Sequence, residues 1–123
     1  MLRCYKKVTI DNEYVGSFTD VSKEKSIAKA MYAKGADVIS QASVGASVGL
    51  FSEANNINSE KTSDQLKKSK VYALGVDSDQ SRFGNFKAKD GKKDNSVLTS
   101  IMTRVDNVSY MLSKKSAQVT QIS

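Results

Sequence analysis

The sequence contains no histidine, no proline and no tryptophan, and it has a single cysteine, Cys4. Without histidine the chain lacks the commonest general base and metal ligand, and a serine hydrolase is not expected because Ser47 lacks a histidine partner. One cysteine excludes an internal disulfide framework and a cysteine-based zinc site. There is no long apolar run and Cys4 lies too early for a signal peptide, so we expect the chain as written to remain cytoplasmic.

The length and composition of the chain fit one small globular domain. The chain has 123 residues, of which 39% are hydrophobic, and its charges are mixed with a net charge of +6. Its lysines are dispersed over predicted turns and helix ends. A basic balance permits nonspecific contact with nucleic acid or anionic membranes. Because no basic recognition helix or aromatic-basic ladder is present, we expect no specific nucleic-acid partner.

Apolar patterning along the chain alternates between strand and helix. Asp20 is a candidate N-cap, and Gly35 follows an apolar pattern of helical spacing. The predicted strands are Val8–Val15, Val38–Gln41 and Val71–Val76, and the predicted helices lie near Val21–Lys34 and Ala46–Ile57. This order predicts an α/β fold, a three-layer parallel sheet with helices on both faces and right-handed crossovers.

Three further segments carry weaker patterns. Asn55–Ser69 and Ser81–Ser96 are predicted to be polar connections. The segment from Val97 to Leu112 is ambiguous, since its apolar residues fit one amphipathic helix, whereas its β-branched start fits a strand to Met102 followed by a helix from Arg104.

The most informative segment is Val71–Gln80, in which an apolar run ends in two carboxylates, Asp77 and Asp79. A buried parallel strand of this kind would place them at the carboxyl edge of the sheet, where open α/β sheets bind ligands. An ionised carboxylate there can accept two hydrogen bonds from a cis-diol. An Asp-rich turn without a ligand explains the same residues equally well. A metal site or an acid–base pair has no further support, because neither carboxylate has a visible partner.

A turn of small residues, Ser43–Gly49, joins the predicted second strand to the following helix. Backbone amides at a helix start favour anions and polar ligand atoms, and Gly45 would allow the backbone to approach a ligand closely. The turn matches neither a dinucleotide fingerprint nor a P-loop. A tight turn with no ligand role is the alternative interpretation of its glycines.

Four sequence blocks, in a constant order, together resemble one protein family. They are Tyr14–Asp20 (YVGSFTD), Lys34–Ile39 (KGADVI), Gly75–Gln80 (GVDSDQ) and Val97–Ser100 with Arg104–Asp106 (VLTS, RVD). They resemble the basic membrane protein family of ABC-importer substrate-binding lipoproteins, which have the type I periplasmic-binding fold and include nucleoside receptors. The resemblance extends from about Tyr14 to Leu112.

The resemblance implies that the chain is one partial domain, most of the C-terminal lobe of a longer two-lobed receptor. It assigns about residues 8–96 to the lobe, about 97–113 to a hinge strand and the start of a return segment, and 114–123 to a tail. It implies a nucleoside-type ligand, an ABC permease as partner, a lipid anchor outside the cell membrane, no cofactor and no enzymatic activity. The alternative class is a ligand-sensing α/β regulatory module without its partner domain.

The resemblance also assigns ligand-binding positions. Asp77 matches the family aspartate that accepts hydrogen bonds from ribose hydroxyls. Gly45 lies in the family's glycine-rich turn, which here is altered to Val-Gly-Ala-Ser, and Thr103 stands where the family has a lysine that reaches the ligand. An aromatic residue is common in the family where Ser40 stands. These departures suggest a degenerate fragment that does not bind nucleosides tightly by itself.

The resemblance resolves the ambiguous segment as a hinge strand, Val97–Met102, followed by a helix from Arg104 to Leu112. In that helix Val105, Val108 and Leu112 form an apolar stripe that would pack on another lobe. An apolar stripe left in water favours association. The sequence therefore predicts self-association through these three residues.

Overall fold

The computed structural model describes residues 8–43 and 45–120, with no side-chain description for 119 and 120. Its helices are Val21–Ala33 (α1), Val48–Ser59 (α2), Ser63–Ser69 (α3) and Val105–Thr120 (α4), its strands are Val38–Ser40 (β1), Tyr72–Asp77 (β2), Asn85–Lys87 (β3), Lys93–Asn95 (β4) and Val97–Met102 (β5), and a 3-10 turn spans Ser81–Gly84.

Strands β1, β2 and β5 form a parallel sheet in which β2 is central. The register pairs Ile39 with Ala73 and Val76 with Ile101. The α/β class and the parallel sheet flanked by helices, predicted from the alternation of patterns, are confirmed. Strands β3 and β4 form a separate antiparallel pair, within the segment that the sequence predicted to be a loop.

The core lies between α1, α2 and one face of the parallel sheet. Phe51 is completely buried there, which is worth roughly 1.5–3 kcal/mol of transfer free energy. The cluster consists of Ala28, Tyr32, Ile39, Leu50, Phe51, Ala54, Val71 and Ala73. Asn58 fixes α2 to the start of β2, because its side-chain amide donates to Val71 O at 2.8 Å and its Oδ1 accepts from Val71 N at 3.0 Å.

The predicted strand Val8–Val15 is wrong. No residue of this segment is in a strand, and Ile10 and Tyr14 are 88% and 83% exposed. The run Asp-Asn-Glu in its middle disfavours a strand. Its carboxylates lie beside the end of α1 instead, where Lys34 Nζ is 3.5 Å from Glu13 Oε1. The third strand of the sheet is β5, which pairs with β2 on the side opposite β1.

The predicted connection Asn55–Ser69 is also wrong in part, because α2 continues to Ser59 and α3 follows. Helix α3 begins with a capping box, in which Thr62 Oγ1 accepts from Gln65 N at 3.4 Å and Gln65 Oε1 accepts from Thr62 N at 3.0 Å. The Thr-x-x-Gln spacing of this motif was visible in the sequence. A buried leucine, Leu66, then packs on Phe86 and Ala88.

The carboxyl-terminal segment is a strand followed by a helix. Strand β5 has the bounds that the resemblance implied, and α4 continues past Leu112 to Thr120. Every α4 side chain described, up to residue 118, is exposed, including the stripe Val105, Val108 and Leu112. None of the helices described here is long and apolar enough to cross a membrane.

Candidate functional site

Asp77 is the last residue of the central strand and lies at the carboxyl edge of the sheet. Its side chain is exposed, and its backbone φ is 71°. Among the residues described it is the only one other than glycine with a positive φ. A left-handed backbone is unfavourable for a residue with a side chain, less so for Asp than for most, and strained residues of this kind cluster at functional sites. The feature therefore marks Asp77 as a candidate ligand residue on conformational grounds.

The structure brings Thr103 to Asp77. The Thr103 hydroxyl donates to Asp77 Oδ1 at 3.0 Å, and the Thr103 amide donates to the Asp77 carbonyl oxygen at 3.3 Å. Within the described part of the chain, no hydrogen bond reaches Asp77 Oδ2. The carboxylate is thus oriented through one oxygen, while the other is available to a ligand donor.

Asp79 has a different surrounding. Its Oδ1 accepts from Ser81 N at 3.0 Å, at the start of the 3-10 turn. This backbone hydrogen bond lowers the pKa of the exposed Asp79 carboxyl, and a side-chain hydrogen bond with Ser81 and the charge of Arg82 act in the same direction. Asp79 is therefore a turn-capping carboxylate, whereas Asp77 lies at the strand end with one oxygen oriented by Thr103.

Gly45 precedes α2 and is exposed. An added Cβ at this position would lie 2.6 Å from Phe18 O, so the close approach of that carbonyl already requires a glycine. No hydrogen bond joins Gly45 to Asp77. Close packing against Phe18 thus explains why a glycine stands at position 45. A contact between Gly45 and a ligand stays a prediction.

Gln80 is the residue of this edge that sequence reasoning missed. It is 7% exposed. Its Oε1 accepts from Val76 N at 2.9 Å, its Nε2 donates to Ser47 Oγ at 3.2 Å, and its own amide donates to Ser100 Oγ at 3.1 Å. The position of Gln80, four residues after Val76, was visible in the sequence, but its partners Ser47, just before α2, and Ser100, in β5, are distant in the chain.

A second buried polar cluster follows β1 at the same edge. Ser43 Oγ donates to Glu24 Oε2 at 2.5 Å, and Ser43 N donates to Gln41 Oε1 at 2.8 Å. Burial raises the pKa of the Glu24 carboxyl, and the hydrogen bond from Ser43 opposes part of that rise. Two buried atoms, Glu24 Oε1 and Gln41 Nε2, have no hydrogen-bond partner among the residues that the structure describes. The cluster fixes residue 43 at the start of the turn that leads to α2.

The chemistry available at this edge is that of hydrogen bonding. The described residues contain no group of three or more potential metal ligands. The Thr103 hydroxyl gives its one proton to Asp77, so Asp77 Oδ2 and the Thr103 oxygen form two neighbouring acceptors. An arrangement of this kind can hold the hydroxyl groups of a small polar ligand.

Comparison with known proteins identifies the family. The family model described as Bmp, ABC transporter substrate-binding protein PnrA-like, matches residues 4–123. The chain belongs to this family of ABC-transporter substrate-binding proteins, which confirms the resemblance found in the four sequence blocks.

Individual relatives agree with the family assignment. The chain is 45% identical over 101 residues to the ABC transporter nucleoside-binding protein BmpA of Lactococcus lactis subsp. cremoris (strain MG1363), a match that covers 82% of this chain and 28% of the relative. It is 40% identical over 97 residues to the CD4+ T-cell-stimulating antigen of Listeria monocytogenes serovar 1/2a, covering 79% of this chain and 26% of the relative. It is 29% identical over 108 residues to basic membrane protein D of Borreliella burgdorferi (strain JD1), covering 88% and 26%. The chain therefore spans about a quarter of the length of these relatives.

Proposed function

We propose that this chain is part of the substrate-binding component of an ABC importer for a nucleoside-type ligand, and that Asp77 accepts hydrogen bonds from the ligand's ribose hydroxyls. The observation that carries the proposal is the exposed Asp77 carboxylate, held by Thr103 through one oxygen at the carboxyl edge of a parallel sheet. The printed name of the Lactococcus relative, a nucleoside-binding protein, supports the ligand class.

The electrostatics of this pair favour a neutral ligand. Thr103 contributes a hydroxyl and no charge, so the negative charge of Asp77 is not neutralised by its hydrogen-bonding partner. Hydrogen bonds to a charged acceptor are worth about 1.5–3 kcal/mol each when both partners are well placed. A neutral diol gains these bonds, whereas a phosphate group brought to the same edge would meet like charge.

The same proposal implies a partner and a location for the receptor. An ABC permease is the partner that receives the ligand, and the mature receptor is an extracytoplasmic lipoprotein at the cell membrane with no enzymatic activity. The chain spans only part of such a receptor, and its exposed stripe Val105, Val108 and Leu112 supports self-association. One lobe offers only part of the contacts of a ligand buried between two lobes, so affinity is low.

A titration of the ¹⁵N-labelled chain with inosine tests the ligand role. We expect chemical-shift changes at the amides of Asp77 and Thr103 with a dissociation constant no tighter than roughly millimolar. Asp77→Asn should abolish the changes, and 2′-deoxyinosine should bind more weakly than inosine because it lacks one hydroxyl of the diol.

The matched control is Asp79→Asn, which removes the neighbouring carboxylate that caps the turn and should leave the inosine shifts in place. Shifts that survive Asp77→Asn, or the absence of any shift at about 10 mM inosine, would refute the proposed role. Micromolar binding would contradict the low affinity that we expect of a single lobe.

A further inference from the structure

We infer that Gln80 is the positioning residue of this site, and that its side-chain amide holds Asp77 in its left-handed conformation while coupling it to the turn before α2. The inference rests on the proposed ligand role of Asp77. In this inference a buried, uncharged side chain, Gln80, aligns an exposed, charged one, Asp77.

The first step is the turn itself. Val76 immediately precedes Asp77, and its amide donates to Gln80 Oε1 at 2.9 Å. The residues between them, including Asp77, are enclosed by this bond. A left-handed residue persists only where the surrounding structure enforces it. The Gln80 acceptor supplies that constraint on the strand side of Asp77.

The second step is the connection to the other strand. The Gln80 amide donates to Ser100 Oγ at 3.1 Å, and Ser100 lies in β5, three residues before Thr103. Gly75 makes this approach possible, since a Cβ there would lie 2.3 Å from Ser100 Oγ and 3.1 Å from Gln80 Cβ. The same residue therefore fixes the turn after β2 against the strand that carries the hydroxyl partner of Asp77.

The third step is the connection to α2. Gln80 Nε2 donates to Ser47 Oγ at 3.2 Å, and Ser47 is itself 2% exposed. A buried amide with both ends bonded is costly to disrupt, because the groups left behind lose their partners. A movement of the 45–47 turn is thereby transmitted to the backbone around Asp77.

Asn58, a residue of α2, provides a matched control at the other end of the same strand. Its buried amide also joins two elements, with a donor to Val71 O and an acceptor for Val71 N, but at the opposite end of β2. Replacing Asn58 should cost stability without reaching Asp77. The pair of variants thus separates a general loss of stability from a loss of alignment at the site.

The test is amide hydrogen exchange of the chain, followed by NMR without any ligand, so that its outcome is independent of the nucleoside proposal. The exchange rates of the Val76 and Thr103 amides measure local opening at the site. The exchange rate of the Ala73 amide, which donates to Ser96 O, measures opening of the protein as a whole. In Gln80→Leu we expect exchange at the two site amides to rise about tenfold relative to Ala73, the equivalent of one lost bond. In Asn58→Leu that ratio should not change.

A milder variant keeps the inference testable if Gln80→Leu does not fold. Gln80→Glu retains the acceptor for Val76 but loses the donor to Ser47. We expect Val76 to stay protected, whereas the Phe51 amide, which donates to Ser47 O, exchanges faster relative to Ala73. Unchanged ratios in both Gln80 variants, or an equal rise of the Thr103 ratio in Asn58→Leu, would overturn the inference.

Discussion

The left-handed backbone of Asp77 makes a sharp prediction about stability: Asp77→Gly should be more stable than Asp77→Ala. Both changes remove the carboxylate and its hydrogen bond with Thr103, so the difference between them isolates the backbone. At a φ of 71° an alanine Cβ costs about 1–2 kcal/mol relative to glycine. The greater entropy of glycine in the unfolded chain offsets about 0.4–1 kcal/mol of this.

The net expectation is that Asp77→Gly exceeds Asp77→Ala by about 0.5–1 kcal/mol in free energy of unfolding. For a chain of this size that corresponds to a difference in melting temperature of roughly 2–4 °C. Urea unfolding followed by circular dichroism, with the two variants measured side by side, gives the value directly.

The same pair of substitutions at Asp79 is the control. Asp79 is exposed and does not have a positive φ, so the usual order should hold there, with alanine more stable than glycine. An Asp77→Ala variant as stable as Asp77→Gly would mean that Asp77 is not left-handed in solution. The conformational argument for its role would then fail.

Three further outcomes follow. Thr103→Val should weaken inosine binding in the NMR titration by severalfold, because the hydroxyl that orients Asp77 is lost, and an unchanged affinity would contradict that contact. Since burial raises the folded-state pKa of Glu24 above its unfolded value, stability should fall as pH rises from about 4.5 through that raised pKa, and Glu24→Gln should flatten this dependence in urea unfolding at a series of pH values. The variant V108K/L112K should convert larger species to monomer in size-exclusion chromatography with light scattering. Oligomers that persist in this variant would show that the stripe is not the self-association surface.

The part of the fold that could be predicted is the part set by local apolar pattern. The run from Val71 to Val76 is too short for a helix and ends at a glycine and a carboxylate, and it proved to be the central strand within one residue at each end. Its parallel pairing follows from the intervening helices. The position of Asp77 at the carboxyl edge then follows from the chain direction alone.

The two wrong predictions, the strand Val8–Val15 and the connection that contains α3, have different physical origins. The segment Val8–Val15 has β-branched residues but also three consecutive polar residues, and strand formation depends on a paired partner that no local pattern reveals. The helix α3 was missed for a different reason, since its seven residues are mostly polar and only the capping box at Thr62 signals it. A sequence search for apolar periodicity does not detect so short a polar helix.

The candidate site shows the same division between local and tertiary information. Asp77 was a candidate from the end of its predicted strand, and Thr103 was named because the family resemblance places a lysine there. Their direct hydrogen bond joins residues 26 positions apart and depends on the pairing of β2 with β5.

Gln80 could not be found from composition or spacing, because a buried glutamine resembles a surface glutamine in sequence. Its importance comes from satisfying donors and acceptors where the regular ladder of β2 ends. Asn58 performs the equivalent task where that ladder begins. A central strand braced by a side-chain amide at each end has a fixed position along its own axis. The exposed carboxylate at its tip can therefore be placed accurately even though its own side chain is held by a single hydrogen bond.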